Sequence, residues 1–261
     1  MKTFDVISIL GALSWLPHLV RIIKDLLATS EIRILTPKTI QIGYNPLGPI
    51  LNTNLAFDTK KQEIVISSLK INVEHESGEK HILSWYGIVQ PIAEVRSEEN
   101  SFQTQKVQSV LTIKLNPKEV EEKFFQFQED EYHDRKAIYE EKVAKHLFYL
   151  QEKGNYSLDE CLKSDEMMEL YSYIKQAFIW KQGSYKISFE IQSNDKFKLK
   201  DNHYTFVFSS IDIEELEKNK GLIEYFYEEQ IKAIIIKDCK PNNVMWNWRF
   251  PILKKQAKQK L

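Results

Sequence analysis

Cysteine, glycine and proline are all scarce in this chain. The two cysteines among 261 residues, Cys161 and Cys239, lie far apart without partner spacing, which argues against a disulfide scaffold and fits a reducing compartment. Eight glycines and eight prolines leave no room for a long flexible linker. A net charge of −1 removes the basic excess that nucleic-acid binding requires, so no nucleic-acid partner is expected. Chemical signatures are missing as well. There is no Gly-x-Ser-x-Gly elbow, and neither cysteine has an electropositive local sequence with a histidine nearby. The composition, 28% charged and 43% apolar, is that of folded domains with ample material for a core.

What is present first is an apolar run. Phe4 to Ile23 carries charge only near its ends, and its 20 positions would make a helix about 30 Å long, the thickness of a bilayer's hydrocarbon core. Asp5, Arg21, Lys24 and Asp25 argue against a cleaved signal peptide. The remaining readings are a transmembrane helix, an interfacial helix and a helix packed on the body. Membrane association is preferred, with the body facing the cytoplasm because Arg21, Lys24, Arg33 and Lys38 follow the run. Ser8, Gly11 and Ala12 place small residues one turn apart, and Trp15, His18 and Arg21 add interfacial and polar groups; these six are the candidates for membrane contact or for self-association into a homo-oligomer.

After Thr29 the period changes to two. Ile32 and Ile34, then Ile40, Ile42 and Tyr44, alternate with polar residues up to a turn at Asn45–Pro49. The run Glu63 to Val73 shifts phase at Ser67-Ser68, as a β-bulge would. Glu76-Ser77-Gly78-Glu79 reads as a hairpin turn with Ile82 to Ile88 returning. Further runs surround Ile113, Ile187 and Phe206. Seven or eight half-polar strands predict a mainly β fold, an immunoglobulin-like antiparallel β-sandwich preceded by the N-terminal apolar helix. Asn116-Pro117-Lys118-Glu119 predicts a helix start, with Phe124 and Phe127 as buried helical positions; Ser157 to Glu160 predicts a second helix, and Asp212 opens a third that Gly221 could break. The expected organisation is an N-terminal helix over 1–28, a sandwich over 29–115 and 180–252 with a C-terminal helix, a helical insertion over 116–179, and a basic tail over 253–261.

The apolar N-terminus, the strand GPILNTNLAF, the hairpin HESGEKHILSW and the ending WNWRFP resemble a group of uncharacterised bacterial membrane-anchored proteins. The resemblance covers residues 4–90 and the WNWRFP ending, leaves out the helical insertion, and implies no activity, cofactor or catalytic residue.

Candidate chemistry is thin. Lys237 to Asn243 mimics part of a kinase catalytic loop, without the glycine-rich loop or the Asp-Phe-Gly that chemistry needs, and reads as a polar turn. His75 and His81 are six apart rather than four; a turn centred on Ser77-Gly78 would send their rings to opposite faces, so no metal site is assigned. His133 and Asp134, and Asp159, Glu160, Asp165 and Glu166 beside Cys161, read as solvated helix faces. Trp246, Trp248 and Phe250 form a candidate interface, although the preferred reading is that they fold back over the sandwich's open edge or end. No catalytic residue, metal or cofactor is assigned. The sequence points to a non-enzymatic, membrane-tethered bacterial interaction or sensing protein with a protein partner, the helical insertion presenting the recognition surface. The alternatives are a membrane-perturbing effector of a defence or toxin system and an enzyme with a site between sandwich and insertion around His133 and Asp134.

Overall fold

The computed structural model describes residues 17–20, 29–96, 101–109, 111–117, 119–154, 157–236 and 239–256. The strands are β1 (Ser30–Leu35), β2 (Gln41–Asn45), β3 (Gly48–Lys60), β4 (Ile64–His75), β5 (Lys80–Arg96), β6 (Ser101–Gln108), β7 (Ile113–Leu115), β8 (Glu121–Glu129), β9 (Gly183–Ser193), β10 (Phe197–Lys200), β11 (His203–Phe208) and β12 (Lys254–Lys255). The helices are α1 (Asp130–Lys153), α2 (Leu158–Leu162), α3 (Asp165–Gln176) and α4 (Ser210–Ile235).

The β-rich expectation is met, but the arrangement is not two stacked sheets. Among the described residues, all twelve strands belong to one sheet, ordered β10-β1-β3-β8-β5-β4-β9-β11-β12 along its main path. That sheet closes on itself. β1 and β2 run successively along β3, pairing with its far and near halves. Residues 249–253 then pair with the open side of residues 38–42, through Ile42 N–Arg249 O and Arg249 N–Ile42 O at 2.8 Å and Leu253 N–Lys38 O at 2.8 Å. Two residues on, the same segment pairs with β11. The C-terminal segment is thus the stave between the two edges of the curled sheet. Closure explains why one core suffices: Ile32, Leu55, Phe57, Ile71, Leu83, Phe125, Phe127, Phe189, Phe206 and Leu253 meet inside a single ring.

Several local expectations hold for the reasons given. The register of β4 against β9 shifts between Ile66 and Ser68, where the apolar phase changes. The turn at residues 76–78 is tight, with Gly78 at φ 89°. Its loop is one residue longer than a centre on Ser77-Gly78 would make it: Glu74 pairs with Lys80 and Val73 with His81. A one-residue slip exchanges faces. His75 and His81 therefore share a face, which corrects the expectation that they oppose each other.

The helix expected from residue 116 is also corrected. Residues 121–129 form β8, with Phe125 and Phe127 fully buried inside the ring. The Phe124/Phe127 spacing suits a helix, but Phe125/Phe127 alternation suits a strand, and the unpaired flank of β3 selects the strand. The single helix expected after Ser157 divides at Ser164, whose hydroxyl caps a new helix by accepting from Met167 N at 3.3 Å. α4 starts with a capping box between Ser209 and Asp212 and runs through Gly221 without a break.

The helices sit at one end of the ring. α1 continues from β8, the chain leads from α3 into β9, and α4 follows β11. Their own core gathers Tyr44, Val143, Leu150, Cys161, Met167, Leu170, Ile174, Ile223 and Ile231.

The transmembrane expectation is corrected as well. Among the described residues no helix is long and apolar enough to cross a membrane; α1 and α4 are long enough but carry charge along their length. Ser8, Gly11, Ala12, Trp15 and Arg21 lie outside the described residues. Pro17 to Val20, including His18, form an exposed helical turn.

Candidate functional site

β8 passes into α1 without a loop. Glu129 is the residue between them, with extended backbone angles, and Asp130 and Glu131 occupy the first turn, where carboxylates suit the helix dipole. Tyr132, Arg135 and Tyr139 follow at one-turn intervals, so one face of α1 carries two tyrosines and an arginine. α3 packs antiparallel on that face. Lys142 reaches Glu169 at 2.6 Å, and His146 lies 3.5 Å from Glu166.

Between the two helices the rings of Tyr132, Tyr173 and Tyr139 form a continuous stack. Tyr173 lies 5.6 Å from Tyr132 and 4.9 Å from Tyr139, at interplanar angles of 27° and 20°. The Tyr173 hydroxyl donates to Tyr132 O at 3.1 Å. Below the stack, Tyr44 donates to Ile174 O, and the Lys136 ammonium donates to Pro46 O at 2.8 Å while pairing with Glu140 at 3.2 Å. Burial raises the Tyr132 and Tyr44 phenols well above the ordinary range and pushes Tyr173 up to about 12, so each remains a neutral donor at physiological pH.

A groove of about 420 Å³ opens alongside these rings. Its floor is Tyr132, Tyr139, Tyr173 and Ile179; its rim is His81, Glu129, Glu131, Arg135 and Gln176. The rim is ordered by ion pairs. Arg135 binds Glu131 at 2.7 Å. His81 Nδ1 is 3.3 Å from Glu129 and its Nε2 is 3.5 Å from Glu79, which takes Lys181 at 2.5 Å. Glu129 raises the His81 pKa, chiefly through their hydrogen bond and against partial burial. The Lys181 hydrogen bond holds Glu79 below its ordinary value.

No protein-family model, curated protein or solved structure matches this chain. The groove is therefore read from its own chemistry.

The structure gathers some expected residues and separates others. His133 and Asp134 do not line the groove. His133 stacks on Tyr86 at 5.6 Å and bonds to Gln128, and burial lowers its pKa. His75 is held by Ser77 and by Gln182 O at 2.9 and 3.0 Å. No three metal-ligating side chains converge among the described residues. Asn242 of the kinase-like stretch anchors its segment to α4, both its amides donating to Glu229. Asp159 pairs with Lys163 beside the buried Cys161. Trp246 lies against Phe226 in the helical core, Trp248 covers Gly43 on β2, and Phe250 is 60% exposed.

The sequence reading passed over His81 with Glu129, and Tyr139 with Tyr173. The spacing Tyr132, Arg135, Tyr139 was the available signal for half of the groove. Its partner face on α3 comes from packing, which one-dimensional spacing does not carry.

Proposed function

We propose that this protein is a non-enzymatic interaction module of a sensing type and that the α1–α3 groove is its recognition surface. The observation that supports the reading is the residue choice at the groove: stacked tyrosines on the floor and an arginine at the rim, the types that dominate binding hot spots. Tyrosine offers a large contact at small entropic cost, and these rings are already fixed by their neighbours. The titratable rim groups are engaged with one another, His81 with Glu129 and Glu79 and Arg135 with Glu131, which suits positioning better than proton transfer.

A photo-crosslinking residue at Gln176, in the full chain expressed in its native cells, tests this. The expected result is one discrete cross-linked protein species that Arg135→Glu abolishes, with no such species from the same probe at Val65 on the sheet. Equal cross-linking from both positions, or none at Gln176, would overturn the assignment.

A further inference from the structure

At the opposite end of β11 from the helices, the chain does something the rest of the sheet does not. β10 lies beside β1, whereas β11 lies beside β9, so the two residues between them carry the chain across the seam. Asp201 makes that corner at φ 57°, a left-handed conformation that aspartate tolerates better than most residues. The Tyr204 hydroxyl, within reach of Ile34 O at 3.2 Å and Asp201 O at 2.8 Å, pulls the two edges together.

A cavity of about 530 Å³ opens at this corner, lined by Lys200, Asp201, Asn202, His203, Lys255 and Gln256 among others. Its size falls within the range of small-molecule sites. The Asp201 carboxylate gathers cations: Lys255 Nζ is 2.9 Å away and Arg33 Nε 3.5 Å. A neighbouring depression shares Asp201 and Lys255 and adds Lys38; another shares His203 and adds Lys186. Near the cavity, Arg33, Lys38, Lys80, Lys186, Lys200 and Lys255 outnumber Glu31, Asp58, Glu74 and Asp201, with Glu31 3.5 Å from Lys200. This local excess stands out in a chain of net charge −1.

We propose that the seam cavity is a binding site for a phosphoryl group, held by Lys200 and Lys255 of its lining, with Arg33 adjoining them through Asp201. A compact anion with several acceptor oxygens matches two ammonium groups and a guanidinium fork better than a carboxylate does. Asp201 pre-orders the cations rather than neutralising them all. The lining offers no tryptophan, tyrosine or phenylalanine for base stacking and only the single His203 ring, which favours a small phosphorylated molecule or free phosphate over a nucleic-acid strand. The site shares no lining residue with the groove and does not depend on the role assigned there.

Calorimetric titration of the full chain with orthophosphate, pyrophosphate and glycerol phosphate is the test. Saturable binding is expected, weakening with salt, and about tenfold weaker in both Lys200→Gln and Lys255→Gln. Lys70→Gln, elsewhere on the sheet surface, should leave it unchanged. A glycerol phosphate affinity above that of orthophosphate assigns the site to a phosphate ester; equal affinities assign it to free phosphate. No saturable binding by any probe, or equal weakening by Lys70→Gln, would overturn the proposal.

Discussion

The ring and the helical layer solve burial in different ways. Inside the ring the side chains are mostly aliphatic or phenylalanine, with Trp180, Tyr185 and Tyr204 as the polar-tipped exceptions. In the helical layer the filling is tyrosine: Tyr44, Tyr132, Tyr139, Tyr171, Tyr173 and Tyr227. Most of these hydroxyls have a defined acceptor, such as Ile174 O for Tyr44, Tyr132 O for Tyr173 and Glu140 at 2.7 Å for Tyr227. An apolar core tolerates exchange of similar volumes, whereas a buried phenol requires its partner. The ring core is therefore open to repacking, whereas the layer's packing is fixed by its hydroxyl partners.

The comparison can be broken most severely from inside the ring. Phe127→Ala, at a fully buried position, is expected to cost about 3–5 kcal/mol in a denaturant titration. The signals of ring and helices should be lost together, since Leu216 of α4 is part of the ring core. Separate transitions would show that the two layers fold independently.

Gly43→Ala strikes the contact where they join. A β-carbon there would collide with the Trp248 ring, whose segment closes the sheet, and Gly43 O also accepts from Trp180 Nε1 at 3.1 Å. A loss of about 1–3 kcal/mol is expected, with a shift in tryptophan emission. Unchanged emission would mean that Trp248 does not rest on Gly43.

Tyr173→Phe keeps the ring stack and removes one hydroxyl. The expected cost is about 1 kcal/mol, with groove cross-linking retained. Tyr173→Ala should remove the cross-link. Equal effects of the two on cross-linking would locate recognition in the hydroxyl rather than in the ring.

The smallest effect separates two histidines at the β8–α1 junction. The pKa of His81 is raised above 6.5 by Glu129, so its contribution to stability is fully present below the ordinary histidine value and is lost as pH rises through the raised one. The pKa of His133 is lowered by burial, so its contribution is present above that ordinary value and is lost as pH falls through the lowered one. Histidine ring titration by NMR should place His81 above His133, and Glu129→Gln should bring His81 down. The reverse order would dismiss the Glu129 pair.

What the sequence made legible was local. Alternation around Ile32, Ile71 and Phe189 reported strands, and the phase change at Ser67-Ser68 reported the bulge, because each is written in adjacent residues. The count at the hairpin after His75 missed by one, since loop length depends on the left-handed geometry of Gly78. β8 was misread because Glu121–Glu129 offers both periods and only the open edge of β3 decides between them. The closing stave was invisible as a strand. Trp246 to Pro251 is dense in aromatics and ends in proline, and its pairing partners are about 207 residues away, as Ile42 and Arg249 illustrate. The groove was legible on α1 and not on α3, and the seam cavity not at all, because Arg33, Lys200 and Lys255 come together through sheet closure.

That late stave has a consequence for biogenesis. A ribosome must synthesise all the other described strands before residues 249–255 emerge, so from the completion of β11 until that point the nascent sheet is open with two unsatisfied borders. Long-range closure of this kind is slow, and uncovered strand borders invite pairing with other chains. Cells making this protein would need chaperone cover through to that final stretch, and truncations upstream of Arg249 should precipitate rather than accumulate as smaller soluble folds.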